Sequence, residues 1–344
     1  MRDEPLVLVT GGAGFIGSHT CVELLGHGYR VVVVDDFSHG TPEALERVEK
    51  IAAQQLTAVH GTDIRDHNAL AAVFDRHPVD AVIHFAARKA VGESVAIPVE
   101  YYDTNVGGTT TLLAVMQEHG VHHLVYSSSC SIYGDAASVP IAEDAPARPT
   151  NPYAASKHMC ESILRDVCAR RPEYAVLALR YFNPIGAHPG GLLGEDPRGE
   201  PDNLVPYIAQ VAAGERPLLH VFGDDYPTPD GTGIRDYIHV MDVAEAHRIA
   251  LGRLSAPDGP GYHALNIGTG TGSSVLDLIG TFREASGRPI PYDITDRRPG
   301  DVAALVADPR AAARAWGWHT VRDLAEMCHD AWNFQQHNPR GYAG

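Results

Sequence analysis

Short apolar runs alternate with longer stretches of mixed polarity through the first half of the chain. Six runs rich in Val, Leu and Ile predict strands at Leu6–Thr10, Arg30–Asp35, Leu56–His60, Ala81–Phe85, His123–Ser127 and Ala175–Arg180. Between them, apolar positions recurring every three or four residues predict helices at Phe15–Gly26, Glu43–Ala53, Asn68–Arg76, Val99–His119 and Pro152–Arg171. Apolar strands separated by helices read as βαβ units on a parallel sheet covered on both faces. After Arg180 the pattern changes. Gly and Pro gather in 183–206 and again in 223–233, predicting long loops of the kind that carry function. A strand at His263–Ile267 and helices at Val275–Ser286 and Thr320–Gln336 follow. In the last helix Val321, Leu324, Ala325, Cys328, Ala331 and Trp332 share one apolar stripe, expected to pack inward.

The expectation is an α/β fold, a doubly wound parallel sheet followed by a smaller, loop-rich C-terminal domain. Residues 1–182, with a returning segment near 236–270, would form the first domain, and 183–235 with 271–344 the second. A chain of 344 residues is long enough for two modest cores.

Charge narrows the partners. With 27 Lys and Arg against 43 Asp and Glu, the net charge is −16. Such a surface repels phosphate backbones and anionic membrane, so neither nucleic acid nor membrane is expected as a partner. A small anionic substrate stays possible, because a few Arg side chains can override the global field locally. No apolar run approaches the roughly 18–20 residues of a membrane span. The opening residues Met1 to Thr10 do not read as a signal peptide. The five cysteines, Cys21, Cys130, Cys160, Cys168 and Cys328, are scattered and form no CxxC pair. That suggests neither a disulfide framework nor a zinc site, and it points to a reducing, cytoplasmic setting. The 19 histidines lack ligand-like spacing, so no metal is expected.

The first candidate chemistry lies just after the first strand. Gly11-Gly12-Ala13-Gly14-Phe15-Ile16-Gly17 satisfies GxGxxG and opens a helix. Glycines allow the tight turn, let backbone approach a pyrophosphate and let the helix pack on the sheet. The helix N-terminus offers free N–H groups and a positive dipole end. Asp35 ends the next strand, 18 residues after Gly17. A carboxylate there accepts from a ribose 2′-hydroxyl and repels a 2′-phosphate, so NAD is favoured over NADP. A purely structural turn would give the glycines but not the whole context.

The second is Tyr153 and Lys157, one turn apart at the start of a helix that Asn151 can cap and Pro152 can begin. Tyrosine alone is a poor base, about 0.1% ionised at neutral pH. A neighbouring ammonium and a positive nicotinamide ring both favour the phenolate. Lowering the phenol by ~3 units requires about 4 kcal/mol of differential stabilisation. Any Tyr and Lys at this spacing can also be plain surface residues.

With both motifs in place, the chain resembles the extended short-chain dehydrogenase/reductase family, and within it the members that epimerise nucleotide sugars. Further segments carry the resemblance: Gly61-Thr62-Asp63-Ile64-Arg65-Asp66, His84-Phe85-Ala86-Ala87, Lys89 to Ser94, Ser127-Ser128-Ser129, Arg180 to Pro184, Asn203 to Tyr207, Gly233 to Val240 and Arg297 to Asp301. It implies a Rossmann-type sheet with a UDP-sugar-binding C-terminal domain, NAD as cofactor, and interconversion of UDP-galactose and UDP-glucose by oxidation at C4, rotation of the keto sugar and re-reduction. It implies that Tyr153 is the base, that Lys157 lowers its pKa and that Ser129 hydrogen-bonds the 4-oxygen. Gly11, Gly14, Phe15, Ile16, Gly17, Asp35, Asp63, Ile64, Phe85, Ala86, Lys89 and Tyr181 would join Tyr153 and Lys157 around NAD. Asn183, Asn203, Leu204, Arg235, Arg298 and Asp301 would hold UDP. It also implies a homodimer, with helices 99–119 and 152–171 pairing with their copies, although Met159, Ile163, Leu164 and Val167 could equally pack within one chain.

Three positions depart from the family. Ser131 stands where Thr is common, and Asp36 where Asn is frequent. Leu305 stands where side-chain bulk governs acceptance of N-acetylated sugars, which favours UDP-glucose and UDP-galactose. Other readings stay open. A 4,6-dehydratase needs an acid pair after Ser129, and Cys130-Ser131-Ile132-Tyr133 contains none. A UDP-glucuronate or UDP-N-acetylhexosamine 4-epimerase differs only in what surrounds the sugar. A non-catalytic NAD-binding regulator would generally lose the Tyr–Lys pair, which this chain keeps.

Overall fold

In the computed structural model, which describes residues 4–256, 259–298 and 300–342, the apolar runs become strands. β1 (Leu6–Thr10) lies parallel to β2 (Arg30–Asp35), joined by α1 (Phe15–Gly26). Then come α2 (Pro42–Ala52), β3 (Ala58–Gly61), α3 (His67–Arg76) and β4 (Ala81–His84). Two short helices, α4 (Val91–Ala96) and α5 (Pro98–Tyr102), lead through a π turn at Asp103–Gly107 into α6 (Gly108–Glu118). β5 (His123–Ser129), α7 (Pro152–Arg170) and β6 (Ala175–Tyr181) complete this half.

The second half contains β7 (Asn183–Ile185), α8 (Leu204–Ala213), β8 (Leu219–Phe222), β9 (Ile234–Arg235), β10 (Tyr237–His239), α9 (Val240–Arg253) and β11 (Gly261–Ile267). It ends with β12 (Ser273–Ser274), α10 (Val275–Ser286), β13 (Tyr292–Thr295), β14 (Ala304–Leu305), α11 (Arg310–Trp316), α12 (Leu324–His337) and β15 (Pro339–Tyr342).

The chain divides into two compact units. The first is Met1–Ile132, Pro149–Arg180 and Ala244–Leu265. It carries a seven-stranded sheet in the order β11-β6-β5-β4-β1-β2-β3. The pairs β1/β2, β1/β4, β2/β3 and β4/β5 are all parallel. β1, β4 and most of β2 are buried, which is why their sequences are nearly uninterrupted Val, Leu and Ile. Leu6, Leu8, Val32, Val82, Leu112 and Leu124 belong to one continuous core. β1 is flanked by β2 on one side and β4 on the other, so the winding direction reverses at its carboxyl end. Ligands of such sheets bind at that reversal.

The second unit is Tyr133–Arg148, Tyr181–Val243 and Asn266–Gly344. It holds a separate core that includes Ile208, Leu278, Phe282, Met327 and Trp332. Its sheets are small: β10 with β7, β12 with β9 and β14, and β13 with β8.

Several elements differ from the sequence expectation for local reasons. The strand expected at Leu56–His60 starts two residues later, because the Leu56 amide donates to Glu49 and only Thr57 turns to Val31. The single helix expected over 99–119 is α5, a π turn and α6. Gly108 lies against Ile64, where a Cβ would come within 2.4 Å of that side chain. The loops expected at 183–206 contain β7 and the start of α8. The last helix starts at Leu324 rather than Thr320, because the Asp323 side chain caps it through the Glu326 amide. Val321 therefore precedes the helix and is 66% exposed, and Ala325 is exposed as well. The inward face is instead Met327, Cys328, Ala331, Trp332 and Phe334.

Candidate active site

The glycine loop is built by lack of space. Gly11 has φ +70°, and a Cβ there would lie 2.7 Å from the Ala86 amide nitrogen. A Cβ on Gly17 would lie 2.2 Å from the Gly11 carbonyl oxygen. Gly14 caps α1 without a side chain, so the amides of Phe15, Ile16 and Gly17 have no partner within the helix. They stand at the positive end of the helix dipole.

Asp35 braces this loop. One carboxylate oxygen accepts from the Ala13 amide at 2.9 Å, the other from the Phe37 amide at 2.9 Å. Burial pushes its carboxyl up, against the pull of those two amides. A carboxylate offers about four acceptor positions, so two remain for a ribose. Asp63 stands differently. Arg65 grips it at 2.6 Å and reaches on to Asp103 at 2.5 Å, which holds the Asp63 carboxyl below its ordinary value. Ile64 is buried under α6, the Phe85 ring lies 4.6 Å from that of His247, and the Ala86 amide donates to the Thr10 carbonyl at 3.2 Å. Lys89 is exposed just before α4, and Tyr181 is buried at the end of β6. The donor set fits a dinucleotide: orphan amides for a pyrophosphate, an acid for a ribose, and glycines where no Cβ has room.

Asn151 caps α7 by accepting from the Ala154 amide at 2.9 Å, and Pro152 begins the helix. Ser129, at the end of β5, lies close enough to the Tyr153 hydroxyl to pull its pKa down against the effect of burial. Ser129 in turn accepts from the Ser131 hydroxyl at 2.9 Å. Lys157 is buried, donates to the Ser127 carbonyl at 2.7 Å and lies 5.1 Å over the Tyr126 ring. Burial pulls its ammonium down to about 8.

Burial pushes the Tyr153 phenol up to about 12, with Ser129 pulling the other way.

Sequence reasoning missed a buried polar chain beneath this pair. His84 sits between the Thr10 hydroxyl at 2.6 Å and the Thr109 hydroxyl at 3.0 Å. Burial, helped by the Lys157 charge, pulls His84 down to about 3, so the imidazole is neutral. Thr109 donates to the Asn105 carbonyl at 2.6 Å, and Asn105 donates to Ser156 at 2.9 Å. Ser156 donates to the Tyr153 carbonyl at 2.7 Å. The only sequence signal was one polar residue, His84, at the end of an apolar strand.

The second unit carries the other candidates. The Asn183 amide donates to the Asp236 carbonyl at 3.0 Å, and its side-chain oxygen is buried with no hydrogen-bond partner among the described residues. Asn203 precedes α8 without capping it and donates to Glu195 at 2.6 Å, and Leu204 is the first residue of α8. Arg235 donates to the carbonyls of Ile234 at 2.8 Å and Val302 at 2.9 Å. Leu305 pairs with it in register. Arg298 is exposed, pairs with Asp301 at 3.1 Å and lies 4.7 Å over the Phe222 ring. Phe222, 39% exposed, was not foreseen as part of this cluster. Pro299, within the quoted Arg297–Asp301 motif, lies outside the described residues.

Comparison with known proteins agrees with this layout. The profile of the NAD dependent epimerase/dehydratase family matches residues 7–268. A UDP-glucose 4-epimerase of Bacillus subtilis (strain 168) is 52% identical over 98% of each chain. Among solved structures, UDP-glucose 4-epimerase from Bifidobacterium longum in complex with NAD+ and UDP is 49% identical, with a TM-score of 0.94 over 98% of this chain and 99% of that one. The UDP-glucose-4-epimerase from Stenotrophomonas maltophila, with bound NAD and formylated UDP-arabinopyranose, is 48% identical, with a TM-score of 0.95 over 98% of this chain and 99% of that one.

Proposed function

The chain belongs to the NAD dependent epimerase/dehydratase family, and from that membership we infer that it interconverts UDP-galactose and UDP-glucose by inverting C4 of the hexose. The observation that carries this reading is the approach of Ser129 to the Tyr153 hydroxyl, with Lys157 buried one turn along the same helix.

Gly11, Gly14, Phe15, Ile16 and Gly17 would hold the pyrophosphate of NAD, and Asp35 a ribose. Asp63, Ile64, Phe85, Ala86, Lys89 and Tyr181 would line the rest. Bound NAD supplies the hydride acceptor and donor for C4, and a positive ring that favours a phenolate. Tyr153 takes the proton of the 4-hydroxyl while that carbon is oxidised to the ketone. The keto sugar then presents its opposite face, and Tyr153 returns the proton to the inverted oxygen. Ser129 holds that oxygen beside Tyr153 through both halves. Lys157 sets a positive charge on the same helix face, which counts when the phenolate forms.

Such a reaction needs the sugar loose and the nucleotide firm, so binding energy belongs on the remote UDP. We assign that task to Asn183, Asn203, Leu204, Arg235, Arg298 and Asp301. The Asn183 oxygen, which has no partner among the described residues, and the exposed Arg298 guanidinium support the assignment. Leu305, beside Arg235, favours plain hexoses over N-acetylated ones. We further propose a cytoplasmic homodimer. Val95 on α4, Val99 on α5 and Met159 on α7 are exposed apolar side chains that a second copy would cover, and all five cysteines are free and buried. Among the described residues no helix is long and apolar enough to cross a membrane.

The test is to incubate the purified protein with UDP-galactose, without added cofactor and then with NAD, and to measure UDP-glucose. No conversion under either condition rejects the reading. UDP-N-acetylglucosamine and UDP-glucuronate run in parallel decide the sugar range.

A further inference from the structure

Glu161 lies on α7, one turn past Lys157 and two past Tyr153, and its side chain is fully buried. The epimerisation chemistry makes no use of it. A buried carboxylate is costly unless paired and hydrogen-bonded, and this one is satisfied on both oxygens. One accepts from the Ser128 hydroxyl at 2.5 Å and from Arg180 Nε at 2.9 Å. The other accepts from an Arg180 terminal nitrogen at 2.6 Å. Arg180, on β6, is itself buried, so its planar fork fixes the carboxylate in one orientation.

The neighbours of this pair give it a purpose. β5 ends in three consecutive serines, and each engages a different turn of α7. The Ser127 carbonyl takes Lys157, the Ser128 hydroxyl donates to Glu161, and the Ser129 hydroxyl meets Tyr153. Positions 153, 157 and 161 form one stripe of the helix. Packing alone does not call for an ion pair here, since apolar side chains of similar volume commonly serve a core at least as well.

We propose that Glu161 is a positioning residue for the Tyr153–Lys157 pair: locked by Arg180 and Ser128, it holds this face of α7 in register with the three serines and keeps an anion one turn from the Lys157 ammonium. The inference rests on the roles proposed for Tyr153 and Lys157. The other groups facing Lys157 are Cys160 on α7, the neutral His84 on β4 and Tyr126 on β5. Glu161 is the carboxylate among them, and it favours the charged lysine.

The chain makes the test direct, because it contains only three lysines, Lys50, Lys89 and Lys157, and the first two are exposed. Lysine labelled with carbon-13 therefore reports the titration of Lys157 by NMR without reference to turnover. Glu161→Gln alone strands Arg180, so the measurement also uses the paired variant Glu161→Gln with Arg180→Gln, which removes both charges. In folded Glu161→Gln, Lys157 is expected to titrate about one unit lower, and in the paired variant, which removes a cation with the anion, by less. Turnover should fall about tenfold with KM for the UDP-sugar unchanged, a loss of about 1.4 kcal/mol in the transition state. Glu161→Asp should return most of both. If Lys157 titrates at its original pH in folded Glu161→Gln, or Glu161→Asp fails to rescue, the inference is overturned. Tyr153→Phe, assayed alongside, keeps the two readings apart: full turnover there rejects the role of the pair, whatever Lys157 does.

Discussion

Ser131 donates its hydroxyl hydrogen to the Ser129 hydroxyl oxygen at 2.9 Å, and its backbone amide points at the same oxygen at 3.2 Å. With that oxygen filled as an acceptor, the hydrogen of Ser129 is left for Tyr153 or for the sugar 4-oxygen. Ser131→Ala should therefore let the Ser129 hydroxyl rotate. Turnover should drop between about threefold and tenfold, the worth of one hydrogen bond. Ser131→Thr should stay close to the parent. Steady-state rates on UDP-galactose check both, and an unchanged rate in Ser131→Ala would remove Ser131 from this role.

Lys157 gives a prediction of opposite sign for stability and activity. Its folded value is about 8 against an ordinary 10.5. Between those two values the unfolded chain keeps a proton that the folded chain has lost, so stability rises with pH through that window. Below pH 8 both states are protonated and the full burial penalty applies, about 3 kcal/mol at most. Lys157→Met should be more stable than the parent at pH 7 by about 1–2 kcal/mol, after the lost bond to Ser127 is counted. It should also lack the rise toward alkaline pH, and it should be nearly inactive. Tyr153 acts the other way at higher pH: its folded value is about 12 against 10.0, so stability falls as pH climbs from 10 to 12. Thermal midpoints of parent and variant across the alkaline range decide the matter.

Gly17→Ala tests the cofactor cradle. The added methyl group would meet the Gly11 carbonyl oxygen at 2.2 Å, and α1 has to move off the sheet to make room. Overpacking of this sort costs about 1–3 kcal/mol. The nicotinamide cofactor released on denaturing the purified variant should fall well below one per chain, and added NAD should restore activity only in part.

Phe222→Ala tests the second unit. The Arg298 guanidinium lies over that ring, a contact worth about 0.5–1 kcal/mol at an exposed site. KM for UDP-galactose should rise a few-fold while kcat holds. A fall in kcat with an unchanged KM would contradict the assignment of this cluster to nucleotide binding.

How far the chain could be read from its residues depends on how each part is held. β1 and β2 were legible to the residue, because buried strands demand long branched apolar runs and little else does. The glycine loop was legible because a clash with backbone leaves no other residue type at Gly17. Tyr153 and Lys157 were legible because both chemistry and spacing are local. The Glu161–Arg180 pair was not, since its partners are 19 residues apart and a Glu in a helix looks like any solvated charge. The chain from His84 through Thr109 and Asn105 to Ser156 escaped notice for the same reason. β9 and β12, at two residues each, are too short to show any period.

Asp103–Gly107 winds one residue more per turn than the helices on either side of it. Deleting a single residue there would tighten the turn to a regular helix with α5 and α6 still in phase, but it would move the residues of the turn out of their present places. Asn105 could not then face both Arg88 and Ser156, as it does now. Residue exchanges in this stretch should thus be tolerated more readily than changes in its length, and a homologue with a gap here would have to anchor the backbone of its tyrosine by other means.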